Sequence, residues 1–206
     1  MEDVHQKIIR CLRGFAWMSV AGLLLACDVP SASSPPSTQI RPVPLAAGDL
    51  IFRLGVGYWS PLFAHVNPVS GFSHVGVLIE EDGRWKVLHA DADDQSLIGG
   101  VIKTELVQFQ NESKRWAIKS NLMAASDKAV FLQNLQSMWS ASLPFDADFD
   151  LSDQGAKVYC TELIWLAAQT TGKPLGDVSL VAGREGITVD SIYASALLGH
   201  VVFVSQ

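Results

Sequence analysis

His74-Val-Gly-Val-Leu-Ile-Glu-Glu-Asp-Gly-Arg-Trp-Lys-Val-Leu-His-Ala90 is the stretch from which the fold can be read. Two apolar, β-branched runs, His74 to Glu80 and Trp85 to Ala90, flank Asp82-Gly83. Asp-Gly between such runs specifies a tight hairpin turn. With Asp82 and Gly83 at its centre, Glu81 faces Arg84, Gly76 faces His89 and His74 faces Asp91. Side chains alternate across a strand, so His74, Gly76 and His89 share one face, and the two histidines become diagonal neighbours. Gly76 has no side chain and leaves room between them. A slip of one residue in register would break the arrangement.

Two imidazoles side by side suit a base and its orienter: one takes a proton from a nucleophile, and the second polar group fixes its tautomer and tilt. The chain has three cysteines, Cys11, Cys27 and Cys160. The first two lie in the N-terminal leader, so Cys160 stands alone in the globular part with no disulfide partner. Thr161 to Thr171 reads as a helix with Leu163, Leu166 and Ala167 on one face, closed by Gly172 with Pro174 beyond it. Cys160 therefore sits at a helix start. Open backbone N–H groups and the positive dipole end there favour thiolate over thiol, so its pKa is expected to be lowered. The base is expected from one of His74 and His89, with the other as its orienter. The other histidines, His5, His65 and His200, fall in the leader, in a loop and near the C-terminus.

Working outward, strands are expected near Leu50–Leu54, His74–Glu80, Trp85–Ala90, Val101–Leu106, Arg115–Lys119 and Val201–Val204. Helices are expected near Asp127–Ala141, with Ser126 as N-cap, and Thr161–Thr171. This is an α+β domain: an antiparallel sheet with helices packed on one side, the cysteine helix crossing the face that carries the histidines.

The N-terminus reads differently. Lys7, Arg10 and Arg13 precede an apolar run from Phe15 to Ala26, a secretory pattern too short to span a bilayer. Leu24-Leu25-Ala26-Cys27 looks like a lipobox, which makes Cys27 the lipidation site. The expected organisation is a lipoprotein signal peptide over 1–27, a Pro/Ser-rich tether over 28–45 and a hydrolase domain over 46–206. The expected location is the periplasmic side of the cell envelope, with the domain held to a membrane by the anchor. A formal net charge of −6 without a basic run argues against a nucleic-acid partner.

Other constellations carry less. Asp146-Ala-Asp-Phe-Asp-Leu-Ser-Asp lacks the glycine and glutamate that a calcium loop needs. Gly55-Val56-Gly57 lacks the third glycine of a dinucleotide site. No Cys/His spacing suits zinc, so no metal and no cofactor are expected. No Gly-x-Ser-x-Gly elbow is present.

With these residues in hand, the chain resembles the circularly permuted NlpC-type papain-like cysteine hydrolases, the YiiX/YebB-like group. The matching pieces are Gly48 to Arg53, Ser73-His74-Val75-Gly76-Val77, Val87-Leu88-His89-Ala90, and Phe145-Asp146 through Asp150 and Asp153 into Tyr159-Cys160-Thr161-Glu162-Leu163-Ile164. The resemblance implies a permuted papain-like fold, with Cys160 as nucleophile, His74 as base and His89 at the variable third position. It implies that Tyr159 and Ser73 flank the pocket and that Glu162 is structural or pocket-forming. The implied reaction is hydrolysis of an amide, ester or thioester through an acyl-enzyme. A cell-wall peptide is the first expectation for the substrate and an acyl lipid the alternative. A non-catalytic envelope lipoprotein that binds such ligands is a further reading. A deep apolar groove would favour acyl chains, and an open polar one peptides.

Overall fold

The computed structural model describes residues 44–204, residue 182 excepted. The expected signal segment, Cys27 and nearly all of the expected tether lie outside the described residues. The chain runs β1 (Leu50–Gly55), α1 (Ser60–His65), β2 (His74–Glu81), β3 (Arg84–Ala92), β4 (Gly99–Glu105), α2 (Leu106–Asn111) and β5 (Ser113–Asn121). It continues through α3 (Ala125–Ser140), α4 (Cys160–Gln169), β6 (Val178–Val181), β7 (Arg184–Ile187), α5 (Val189–Tyr193) and β8 (Leu198–Val204). No described helix is long and apolar enough to cross a membrane.

Six strands form one antiparallel sheet in the order β4-β3-β2-β1-β5-β8. The β2–β3 hairpin has the register read from the sequence: Glu81 pairs with Arg84 and Val77 with Leu88. Asp82 and Gly83 both take positive φ, 52° and 70°. That is the backbone a tight hairpin needs for its turn to match the strand twist. β1 lies in the middle of the sheet and is apolar on both faces, with Leu50, Ile51 and Phe52 fully buried.

Both faces of the sheet are covered. On one, Leu50, Phe52, Val75, Val77, Leu88 and Ala90 pack with Phe131 and Leu135 of α3 and with Leu163, Ile164 and Ala167 of α4. On the other, Ile51, Leu78, Val87 and Ile118 pack with Leu106 and Phe109 of α2. The longer helices thus lie to one side, as expected, and α2 closes the opposite face.

This partition corrects one expectation. α4 does not cross the face that carries the histidines. His74 and His89 alternate with Val75 and Leu88 and point to the α2 side, where both rings meet Phe109 at centroid distances of 5.8 and 5.2 Å. The fourth strand, expected to end at Leu106, ends at Glu105, and Leu106 starts α2. Ser60–His65 is helical where a loop is expected, and the β6–β7 hairpin and α5 are further elements that the sequence does not announce. These are short segments, too brief for hydrophobic periodicity to declare them. Ala124, not Ser126, is the N-cap of α3.

Phe109 is fully buried, and the guanidinium carbon of Arg53 lies 4.2 Å from its ring centre. Phe109→Ala should cost about 3–5 kcal/mol of stability, as deletion of a large core aromatic does. Urea denaturation followed by circular dichroism measures it, and a loss below about 1 kcal/mol would show that α2 is not an integral cover.

Candidate functional site

His74 opens β2 and His89 lies mid-strand in β3, so the register of one hairpin determines their spacing. His74 Nε2 and His89 Nδ1 are 2.9 Å apart, and His89 Nε2 is 2.9 Å from Thr104 Oγ1 on β4. His89 is 1% exposed and His74 half-buried. Burial holds both imidazoles well below the usual histidine range. The Arg53 charge adds to this at His74, and the His74 and Arg53 charges add to it at His89, against Asp91. Both rings are therefore neutral near pH 7.

Asp91 and Arg53 complete the polar group. Asp91 Oδ2 lies 3.7 Å from His89 Nδ1 and accepts from Arg53 Nη2 at 3.0 Å. Arg53 Nη1 reaches Glu112 Oε2 at 3.4 Å on its other side. One ligating atom each from His74, His89 and Asp91 lie within 4.8 Å of one another, a spacing compatible with a metal ion. Sequence reading found no zinc spacing because these ligands are brought together by strand pairing and not by a short local repeat. Asp91 was nevertheless legible, two residues beyond His89 and on the same face. Arg53, Thr104, Glu112 and Phe109 carried no such signal, because their roles depend on strands and a helix that meet only in the folded sheet.

Cys160 is the first residue of α4, follows the extended N-cap Tyr159 and is half-buried. The Val75 N–H reaches its sulfur, which brings the thiol to the start of β2 beside His74. The helix and the histidines lie on opposite faces of the sheet, and Cys160 and His74 both border one cavity at the end of this strand. The expected lowered thiol pKa is not found: burial pushes the Cys160 thiol up to about 11. The N–H groups of Val75 and Thr161 oppose this, and the Asp91 charge adds to it. Desolvation of the charged form outweighs the helix end. At rest the pair is neutral thiol and neutral imidazole.

Cys160, His74, Asp91 and Arg53 line one cavity of about 1030 Å³. Its walls are largely apolar. Trp59, Leu62 and Phe63 come from around α1, and Phe149, Ile187 and Val189 come from the segment before α4 and the region of β7 and α5. Phe63 and Phe149 rings stand 5.3 Å apart, and Phe149 stands 5.3 Å from Tyr159. The α1 wall was not foreseen, since Ser60-Pro-Leu-Phe-Ala-His65 is too short to show a helical period.

Ser73 and Tyr159 line the cavity and also brace it. Ser73 Oγ accepts from Gly55 N at 3.1 Å, and Tyr159 Oη accepts from Ile187 N at 2.9 Å. Of the two roles expected for Glu162, structural or pocket-forming, the first fits its surroundings. It is 1% exposed, does not line the cavity, and turns toward the loop of Asp146, Asp150 and Asp153. Burial pushes its carboxyl up to about 8. The Tyr159 N–H opposes the shift and the three aspartates strengthen it. Its place is structural, at the N-terminal turn of α4.

No family model matches the chain, and no curated protein matches it. Among solved structures, the fold is similar to that of the metalloprotein YiiX of Escherichia coli O157:H7, a protein of DUF1105. The TM-score is 0.61 at 17% identity, over 74% of this chain and 94% of that one. The YiiX-like fold is therefore shared.

Two measurements follow. Alkylation of Cys160 by iodoacetamide should rise roughly tenfold per pH unit from about pH 6 to pH 9 without a plateau, because only the thiolate reacts; a plateau below about pH 8 would contradict the raised pKa. Glu162 holds its proton in the fold up to about pH 8 but loses it in the unfolded chain near its ordinary value of 4.5. The native state then binds more protons across that window, so this residue makes stability fall as pH rises from about 4.5 to 8. Glu162→Gln removes the effect. Its melting temperature relative to the unsubstituted chain should climb through that window, and a pH-independent difference would refute the assignment.

Proposed function

We propose that the chain is a cysteine hydrolase of papain-like type that works through an acyl-enzyme, with Cys160 as nucleophile, His74 as base and His89 as orienter. The observation that carries this reading is the 2.9 Å contact of His74 Nε2 with His89 Nδ1 at the wall of the cavity that also holds Cys160. Thr104 Oγ1 can accept from or donate to His89 Nε2, and here it is assigned as acceptor. With His89 Nε2–H donating to Thr104 Oγ1, His89 Nδ1 is the acceptor for His74 Nε2–H. His74 then keeps its lone pair on Nδ1, and the mechanism requires that nitrogen to reach Cys160 Sγ.

Attack proceeds as His74 Nδ1 takes the proton from Cys160 Sγ and the sulfur bonds the substrate carbonyl carbon. Because both groups are neutral at rest, proton removal and attack go together. The Cys160 backbone N–H, at the first position of α4, has no partner within the helix and can donate to the developing oxyanion. His74 returns the proton to the departing amine or alkoxide. It then takes one from the water that cleaves the thioester, which restores the thiol. Asp91, oriented by Arg53, stabilises the transient positive charge on the imidazole pair.

The apolar, aromatic lining of the cavity favours a substrate with an apolar acyl group over the cell-wall peptide that the sequence first suggested. Leu62 of the lining is exposed, as are Tyr58 and Ile98, which adjoin the lining residues Trp59 and Leu97 in the chain, and this suits a substrate drawn from lipid at a membrane surface. YiiX is a metalloprotein. In this chain the residues that fit an ion are His74, His89 and Asp91, and a metal held there would supply Lewis-acid polarisation. The steps above use only the chain's own groups.

The test offers the full-length protein medium-chain acyl esters and, separately, cell-wall muropeptides, with intact-protein and product mass spectrometry. The expected result is an acyl adduct on Cys160 with esters. It should be absent in Cys160→Ala, with turnover down at least about 100-fold in His74→Ala. Products from muropeptides alone would transfer the reading to peptides. No adduct and no product from either class would overturn it.

A further inference from the structure

We propose that His74, His89 and Asp91 form a site for a divalent transition-metal ion, and that an ion there and base chemistry at Cys160 exclude each other. The exclusion rests on the hydrolase reading above; the ion site does not.

The geometry is nearly that of a ligand set. The facing nitrogens of the two histidines are 2.9 Å apart, and Asp91 Oδ2 is 3.7 Å from His89 Nδ1. Two nitrogens on one tetrahedral ion, each with a bond of about 2.0–2.1 Å, stand roughly 3.3 Å apart. The two nitrogens need a few tenths of an ångström of motion to seat an ion, and Asp91, within a group whose atoms spread to 4.8 Å, needs a larger side-chain adjustment. The supports that orient metal ligands are also present. Thr104 Oγ1 holds His89 by its far nitrogen, and Arg53 holds Asp91. Arg53 is a cation beside the site, but Asp91 on one side and Glu112 on the other offset its charge. His74 and Asp91 line the cavity, which provides a route in and leaves a coordination position facing solvent. Two imidazoles and one carboxylate suit zinc, cobalt or nickel better than calcium or magnesium.

The antagonism follows from tautomers. As a base, His74 carries its proton on Nε2, shared with His89, and its lone pair on Nδ1. An ion bonded to Nε2 needs the lone pair there, so the proton of the neutral ring moves to Nδ1. His89 keeps its Nε2 proton toward Thr104, and the count of protons on the two rings is unchanged. His74 Nδ1–H can then only donate in the cavity it shares with Cys160. It cannot accept the thiol proton, and Cys160 stays protonated.

The test uses full-length protein without a polyhistidine tag, stripped of metal with chelator, in the unsubstituted chain and in Cys160→Ser. Cobalt(II) is titrated and read by its visible d–d absorption. One equivalent should bind in both proteins with matching spectra and no thiolate charge-transfer band. His89→Gln, which keeps volume and polarity, should weaken binding at least about 30-fold and Asp91→Asn about tenfold, with folding checked by circular dichroism. These are lower bounds, since loss of a mere outer-shell partner of a metal ligand already costs about 10–100-fold. In the unsubstituted chain, saturating zinc should slow alkylation of Cys160 at least tenfold, and chelator should restore it. Absence of saturable cobalt binding, or binding unchanged by His89→Gln, overturns the site. A thiolate charge-transfer band moves the ion onto Cys160 and overturns the ligand assignment. Binding without slowed alkylation overturns the exclusion. Because the cobalt arm runs in Cys160→Ser, it reads the site even if the chain proves not to be a hydrolase.

Discussion

The register of one hairpin is the constraint on which the remainder depends. Glu81 opposite Arg84 carries through the pairing of β2 with β3 until His74 and His89 lie on one face with their nitrogens 2.9 Å apart. Asp82 and Gly83 make that register cheap, because both take the positive φ that the turn requires. At Gly76, a Cβ would stand 2.4 Å from Val87 Cγ1 and 3.1 Å from His89 Cβ. The glycine is thus the close-approach point at which the two strands bring the rings together, more than a vacancy between them.

Around that hairpin the sheet carries two unequal covers. The α3–α4 side is a broad apolar core; the α2 side is a smaller cluster that gives way, toward the start of β2, to a polar seam of His74, His89, Arg53 and Asp91. Phe109 borders that seam and desolvates it without supplying hydrogen bonds, which is why the polar groups bond one another. The thiol belongs to the other cover. It shares a cavity with His74 because α4 begins beside the start of β2, where the Val75 N–H reaches the sulfur.

Burial then sets the electrostatics. An exposed helix N-terminus lowers a thiol pKa, and an exposed imidazole titrates near neutrality. Here both trends are overridden, the thiol rising to about 11 and the imidazoles falling well below their usual range. The same desolvation that keeps the thiol and the imidazoles neutral leaves two imidazole nitrogens facing each other 2.9 Å apart. Glu162 shows the principle again on the far side of α4, where a carboxyl packed toward three aspartates holds its proton.

The sequence by itself was enough for the hairpin, its register, the shared face of the histidines, the cysteine at a helix start and the antiparallel sheet. These follow from period, turn chemistry and capping, which act between near neighbours. It was not enough for the short α1, α2 and α5, whose length is below what periodicity can reveal. Nor could it show that α4 lies on the face away from the histidines, since residue alternation fixes which side chains share a face but not which helix covers it. The partners of the site, Arg53, Thr104, Glu112 and Phe109, and the direction of the Cys160 shift, were decided only by tertiary structure. Desolvation depends on what packs against a group from distant parts of the chain, and that quantity exists only once the sheet has its covers.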